Sequence, residues 1–187
     1  MKKIAYVLLM LVLVLSCKDA QKEVEKETSE NAFFETPFKD YRELEELSGY
    51  EKVSDTSMWD SRNSHDRYRL LQLQKGQNSL ILFYRAGLQH EEGDEISYLA
   101  LDTLQVKDVG ENEQITIGYC TKQGFPEGEI IALVEESDSL YVKSVIKAWR
   151  ANKASEKMEV VEDLDRIDCI NEFFESEDAT LPLKDFS

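Results

Sequence analysis

Positive charge is scarce in this chain. Lys and Arg number 22 against 38 Asp and Glu, a formal net charge of −16. Phosphate backbones and anionic lipid surfaces are bound by neutralising them with Lys and Arg, so nucleic acid is excluded as a partner. Glycine (8) and proline (3) are too few for a collagen-like or low-complexity chain. Only 2 His are present, and no His-Glu-x-x-His, EF-hand spacing, Gly-x-Ser-x-Gly elbow, phosphate loop or dinucleotide fingerprint occurs. The apolar run at residues 4–15 is shorter than the roughly 20 residues that a spanning helix needs, which disfavours a permanent transmembrane anchor. What remains is 187 residues with 42% hydrophobic content, enough for one domain with a real core.

The first seventeen residues carry the strongest pattern. Met1-Lys2-Lys3 is basic, residues 4–15 are apolar, and Ser16 precedes Cys17, the layout of a secretory signal. Val14-Leu15-Ser16-Cys17 resembles the lipobox of bacterial lipoproteins, with Val14 where Leu is commoner. That resemblance implies cleavage between Ser16 and Cys17, and lipidation of Cys17 on its sulfur and its new amine. Each buried methylene contributes about 0.8 kcal/mol, so two or three acyl chains hold effectively permanently. Lys18 stands where an Asp would retain some lipoproteins in the inner membrane, so the resemblance implies the outer membrane, on its periplasmic or its surface side. An ordinary cleaved signal beside a stray Cys is the plainer alternative. Residues 130–134, 145–151 and 168–172 also resemble small uncharacterised lipoproteins of Bacteroidota, which implies a location and no activity.

Three segments follow: a signal peptide at 1–16, a lipidated Cys with an acidic tether at 17–36, and a single globular domain at 37–187. The tether has too few apolar residues to offset chain entropy of about 1–2 kcal/mol per ordered residue. Thr36-Pro37 makes a helix entrance, Phe38, Tyr41, Leu44 and Leu47 recur on one face, and Gly49 stands where a left-handed C′ residue is wanted. These features predict one amphipathic helix over about 37–48. The rest reads as strands at 67–74, 79–85, 96–107, 114–121, 129–135, 142–150 and 157–161. Residues 80–84 and 130–134 are apolar at both parities, as central strands covered on both faces require. Residues 142–149 also fit a helical face, and the favoured reading is a hairpin turning at 152–156. The predicted fold class is α+β, an antiparallel sheet with one N-terminal amphipathic helix.

Chemistry is harder to find. With Cys17 lipidated, Cys120 and Cys169 form an even pair that an oxidising compartment favours bonding, the alternative being two separately buried thiols. His90-Glu91-Glu92-Gly93-Asp94-Glu95 gathers possible ligands but matches no metal signature and reads as a solvated loop. Ser64-His65-Asp66 has triad residue types in consecutive positions, a spacing that cannot make triad geometry. No catalytic residue, cofactor or metal site is assigned. Residues 156–178 hold ten acids, either a solvated face or a docking surface for a basic partner. Trp59, Trp149, Tyr119 and Tyr141 are candidates for a sugar-stacking platform or for core. The expected function is a non-catalytic binding or structural module of the cell envelope. The alternatives are an immunity protein against a basic toxin and a hydrolase of envelope polymers.

Overall fold

The computed structural model describes residues 34, 36–58, 68–87, 96–142, 144–172 and 174. A five-stranded antiparallel sheet comes first: β1 (Pro37–Phe38), β2 (Glu51–Ser57), β3 (Tyr68–Lys75), β4 (Asn78–Ala86) and β5 (Tyr98–Val106), in the order β1-β5-β4-β3-β2. The chain then alternates between two further sheets. β6 (Glu113–Ile117) opens the second sheet, and β7 (Cys120–Lys122) with β8 (Phe125–Pro126) forms a hairpin of the third. β9 (Ile130–Glu135) returns to the second sheet and β10 (Tyr141–Val142) to the third. β11 (Val145–Asn152) and β12 (Lys157–Val160) complete the second, and β13 (Ile167–Ile170) the third.

Layering follows from side-chain parity. Ile81 and Phe83 of β4 meet Ile131 and Leu133 of β9, Trp149 of β11 and Met158 of β12 in a core between the first and second sheets. Leu82 and Tyr84, on the other face of β4, pack with Phe38, Tyr41, Leu44 and Leu47 from the segment that covers the first sheet. Ile130, Ala132 and Val134, on the other face of β9, pack with Cys120, Val142, Ile167 and Cys169 of the third sheet. Both doubly apolar runs are therefore central strands, each face supplying a different core.

The fold class departs from the expected α+β. Among the described residues the chain is β with only two 3-10 turns, Tyr41–Glu43 and Glu45–Leu47, and the helix over 37–48 does not form. The reason lies in the spacing. Residues exactly three apart line up on a 3-10 turn at 3.0 residues per turn, whereas on an α-helix each step of three falls about 60° short. The stripe from Phe38 to Leu47 would wrap halfway round an α-helix, and all four residues are instead buried by two tight turns joined through the extended Leu44. Asp40, not Thr36, caps the first turn by accepting the Arg42 N–H at 2.9 Å, and Pro37 pairs with Leu99 as an edge residue. Gly49 is not left-handed, since the turn closes when the Tyr50 N–H donates to the Leu47 carbonyl.

Two expected strands are each divided. Residues 114–121 break at Gly118, whose φ of 77° and 2.8 Å approach of a Cβ position to Thr56 Cγ2 admit no side chain. Residues 142–150 break into β10 and β11, and β11 pairs with β9 across a bulge between Val145 and Lys147. The helical alternative for that stretch is thereby set aside, and the 152–156 turn leads into β12 as expected. A second bulge, opposite Phe83 and Tyr84, places Leu101 and Asp102 so that the buried Asp102 carboxylate accepts the Met158 N–H at 2.8 Å. That bond joins the first sheet to β12.

The C-terminal end of β13 ties down the other side. Asn171 accepts from Gln114 and donates to the Ser137 carbonyl, and Glu172 accepts from Thr116 Oγ1 at 3.1 Å. Desolvation raises the Glu172 pKa, against hydrogen bonds from Thr116, the Ile117 N–H and Ser54 that lower it. A carboxyl whose folded pKa exceeds its unfolded value penalises the folded state wherever it is ionised there. The penalty is complete above the folded pKa and vanishes as pH falls to the unfolded value, about 4.3. The stability of Glu172→Gln relative to wild type should accordingly be greatest at pH 7 and shrink towards pH 4. Urea titrations at both pH values check this, and an identical difference at each would refute it.

Candidate functional site

The third sheet presents its inner face to the core and its outer face to solvent. Val142, Cys169 and Cys120 are opposite one another across β10, β13 and β7 and point inward. The next position on each strand points outward. Tyr141 is paired with Ile170, and the Ile170 N–H donates at 2.9 Å to the carbonyl of Tyr119, the residue just before β7, so Tyr141, Ile170 and Tyr119 form one row across the sheet. All three are exposed, at 55%, 37% and 44%. Strands are spaced about 4.8 Å apart, which sets the two tyrosines roughly 10 Å from each other. Thr121 and Asp168 form the neighbouring outward row, with Thr121 Oγ1 donating to the Asp168 carbonyl. Leu140, also exposed, borders the patch. A contiguous apolar and aromatic surface rimmed by polar groups is the ordinary mark of an interaction site.

The disulfide lies directly beneath this row. Cys120 and Cys169 are register partners with Cα atoms 4.0 Å apart, and they are bonded. Both cysteines lie among buried residues, where their bond holds β13 to β7 and so fixes the register of the outward row.

A second concave region lies on the far side of the first sheet. A cleft of about 290 Å³ is lined by residues 38–42, Lys52, Asp55, Leu71, Tyr84 and Tyr98. Its wall is a cross-strand network. Arg69 of β3, opposite both Ser57 of β2 and Tyr84 of β4, donates to Asp55 Oδ1 at 3.2 and 2.9 Å, to the Tyr84 hydroxyl at 2.9 Å and to Ser57 Oγ at 3.1 Å. The Tyr84 hydroxyl in turn donates to Asp55 Oδ1 at 2.9 Å. Burial raises the Tyr84 pKa strongly, and the Asp55 carboxylate raises it further, so the phenol stays protonated. A third cleft, about 340 Å³, opens between β5 and β11–β12 over Leu104, Trp149 and Met158, with Ile146 and Val160 at its rim.

The residues singled out by sequence fare differently. Cys120 and Cys169 are brought together. Tyr119 and Tyr141 share one exposed face, whereas Trp149 is core. Ser16, Cys17, Trp59, the Ser64-His65-Asp66 run and the 90–95 loop lie outside the described residues, as does most of the 17–36 tether. Of the acids of 156–178, those at 175–178 lie outside the described residues and those of 156–172 are spread over several elements. Glu156 pairs with Arg85 at 3.2 Å, Glu159 accepts from Asn152 and Ser155, and Glu172 is engaged with Thr116. Asp163 holds Lys122 at 3.1 Å, and its pKa is lowered by the Asp165 N–H and by Lys122. Among the described residues no three His, Cys, Asp or Glu side chains converge as a metal site, and no helix is long and apolar enough to cross a membrane. Sequence reasoning missed the Asp55–Arg69–Tyr84 network, whose members become neighbours only through strand register. Compared with known proteins, the chain matches no family model, no curated protein and no solved structure.

Proposed function

We propose that this chain is a lipid-anchored, non-catalytic binding module of the bacterial cell envelope, docking an extended envelope polymer across the outer face of its third sheet. The observation that carries the docking half is the Tyr141–Ile170–Tyr119 row. Two exposed tyrosines two strand spacings apart, with Thr121 and Asp168 beside them, offer ring faces and hydrogen-bonding groups at a separation that alternate rings of a polysaccharide can span. The anchor half is supported by the layout of residues 1–17. The Cys120–Cys169 bond agrees with export, because disulfides persist in oxidising compartments. The immunity alternative asks for a contiguous acidic face, and several acids of the 156–178 stretch are instead engaged with groups of this chain.

Fractionation followed by co-sedimentation tests both halves. Wild type should partition with the outer membrane and carry acyl mass on Cys17, and Cys17→Ser should lose both. The Cys17→Ser chain should still sediment with purified peptidoglycan sacculi, and adding Tyr119→Ala and Tyr141→Ala should cut the bound fraction at least tenfold. A Cys17→Ser chain that stays membrane-bound defeats the anchor. Sedimentation that is absent, or indifferent to the two alanines, defeats the docking face.

A further inference from the structure

We infer that the outer face of the third sheet is a three-ring site for the backbone of a β-1,4-linked N-acetylhexosamine glycan. The inference rests on the docking face proposed above and names the polymer, its direction and its footprint. Direction comes from register. The row Tyr141–Ile170–Tyr119 runs across the strands, since Tyr141 is the partner of Ile170 and the Ile170 N–H donates to the Tyr119 carbonyl. A peptide that joins a sheet runs alongside an edge strand and is held by main-chain hydrogen bonds. A polymer that follows this row instead crosses strands already paired with one another, so side chains alone must hold it. Sugar rings, whose apolar faces pack on aromatic rings, meet that condition.

Spacing sets the footprint. In a β-1,4-linked glycan with its two-fold twist, every second ring presents the same face again after about 10 Å, which is two strand spacings of about 4.8 Å. The first and third rings thus fall on Tyr141 and Tyr119, and the second on Ile170. The row ends there. In the β7–β8 register, where Thr121 faces Pro126 and the Glu127 N–H donates to the Cys120 carbonyl, the position beside Tyr119 is Gly128, which has no side chain to stack on. On the other side β10 is the edge of the sheet. Charge and hydrogen bonding select the sugar. Asp168 stands in the neighbouring outward row, and its backbone carbonyl, not its carboxylate, takes the Thr121 hydroxyl. A carboxylate beside the row accepts from the N–H of an acetamido group. It also repels uronate or phosphate polymers, as does the formal charge of −16 on the chain.

Isothermal titration of the Cys17→Ser chain with β-1,4-linked N-acetylglucosamine oligomers of two to five rings tests this. The trimer should bind at least tenfold tighter than the dimer, and the tetramer and pentamer within about threefold of the trimer. Tyr141→Ala should remove the step from dimer to trimer while leaving dimer affinity within about twofold, a pattern that misfolding would not give. The β-1,4-linked glucose trimer should bind severalfold more weakly than the acetamido trimer, and Asp168→Ala should erase that difference. The inference is overturned by an absence of saturable oligomer binding, by equal affinity for dimer and trimer, or by affinity that climbs steadily to the pentamer. Tyrosine-dependent sedimentation with sacculi that no oligomer competes away would leave the docking face standing and put a stem peptide in place of the glycan. A trimer that binds with its step while sacculi do not sediment the chain would uphold the three-ring site and defeat the envelope polymer.

Discussion

Urea unfolding of the Cys120→Ala/Cys169→Ala chain should give an unfolding free energy about 4 kcal/mol below wild type. The figure follows from chain entropy. The bond spans 49 residues, and releasing a loop of that length returns to the unfolded chain the freedom the crosslink had removed. The folded side of the balance points the same way. Strands of the third sheet are two to four residues long, too short to hold a sheet together through backbone pairing alone. They stay in place because Val142, Ile167 and the cystine pack on Ile130, Ala132 and Val134. Without the bond, β10 and β13 should exchange their amide hydrogens ahead of β4 and β9, a pattern read by hydrogen exchange. A loss under 1 kcal/mol with uniform protection would mean that packing alone fixes the third sheet.

That sheet also marks how far the sequence could be read. An even pair of cysteines raised the possibility of a disulfide, but only strand register puts Cys169 opposite Cys120. Register in the third sheet places Tyr119 and Tyr141 outside, and register in the second places Trp149 inside, which the residue types alone leave open. Strands rich in alternating or continuous apolar residues were legible: β3, β4, β5, β9 and β12 fall within a few residues of their expected ranges. β2 was not, because Glu51-Lys52-Val53-Ser54-Asp55-Thr56-Ser57 has one large apolar residue and gains its place by pairing with β3 and by the Asp55–Arg69 bonds. The covering segment was misread for a subtler reason. Phe38, Tyr41, Leu44 and Leu47 did announce a buried face, but their spacing of three belongs to 3-10 turns rather than to an α-helix. The cleft beside residues 38–42 draws its lining from all five strands of the first sheet and the first 3-10 turn, and has no signature in any one of them.

Single alanine substitutions at the adjacent Leu82 and Phe83 should each be severely destabilising, at about 2–5 and about 3–5 kcal/mol respectively. Neighbours on a strand point to opposite faces, so in a half-exposed strand one of the pair would cost within about 0.5 kcal/mol. Here both side chains are fully buried, Phe83 against the second sheet and Leu82 beneath the 3-10 segment. Phe83 also stacks on Tyr68 at 5.6 Å, which places its cost at the upper end of the range. Typical domains are stable by about 5–15 kcal/mol, so the double variant should be unfolded or nearly so at room temperature. Circular dichroism with urea titration of the two single variants decides the matter. Two comparable losses establish that the covering segment seals a second core, whereas a negligible loss at Leu82 would show that segment to be dispensable and the first sheet to be buried on one side only.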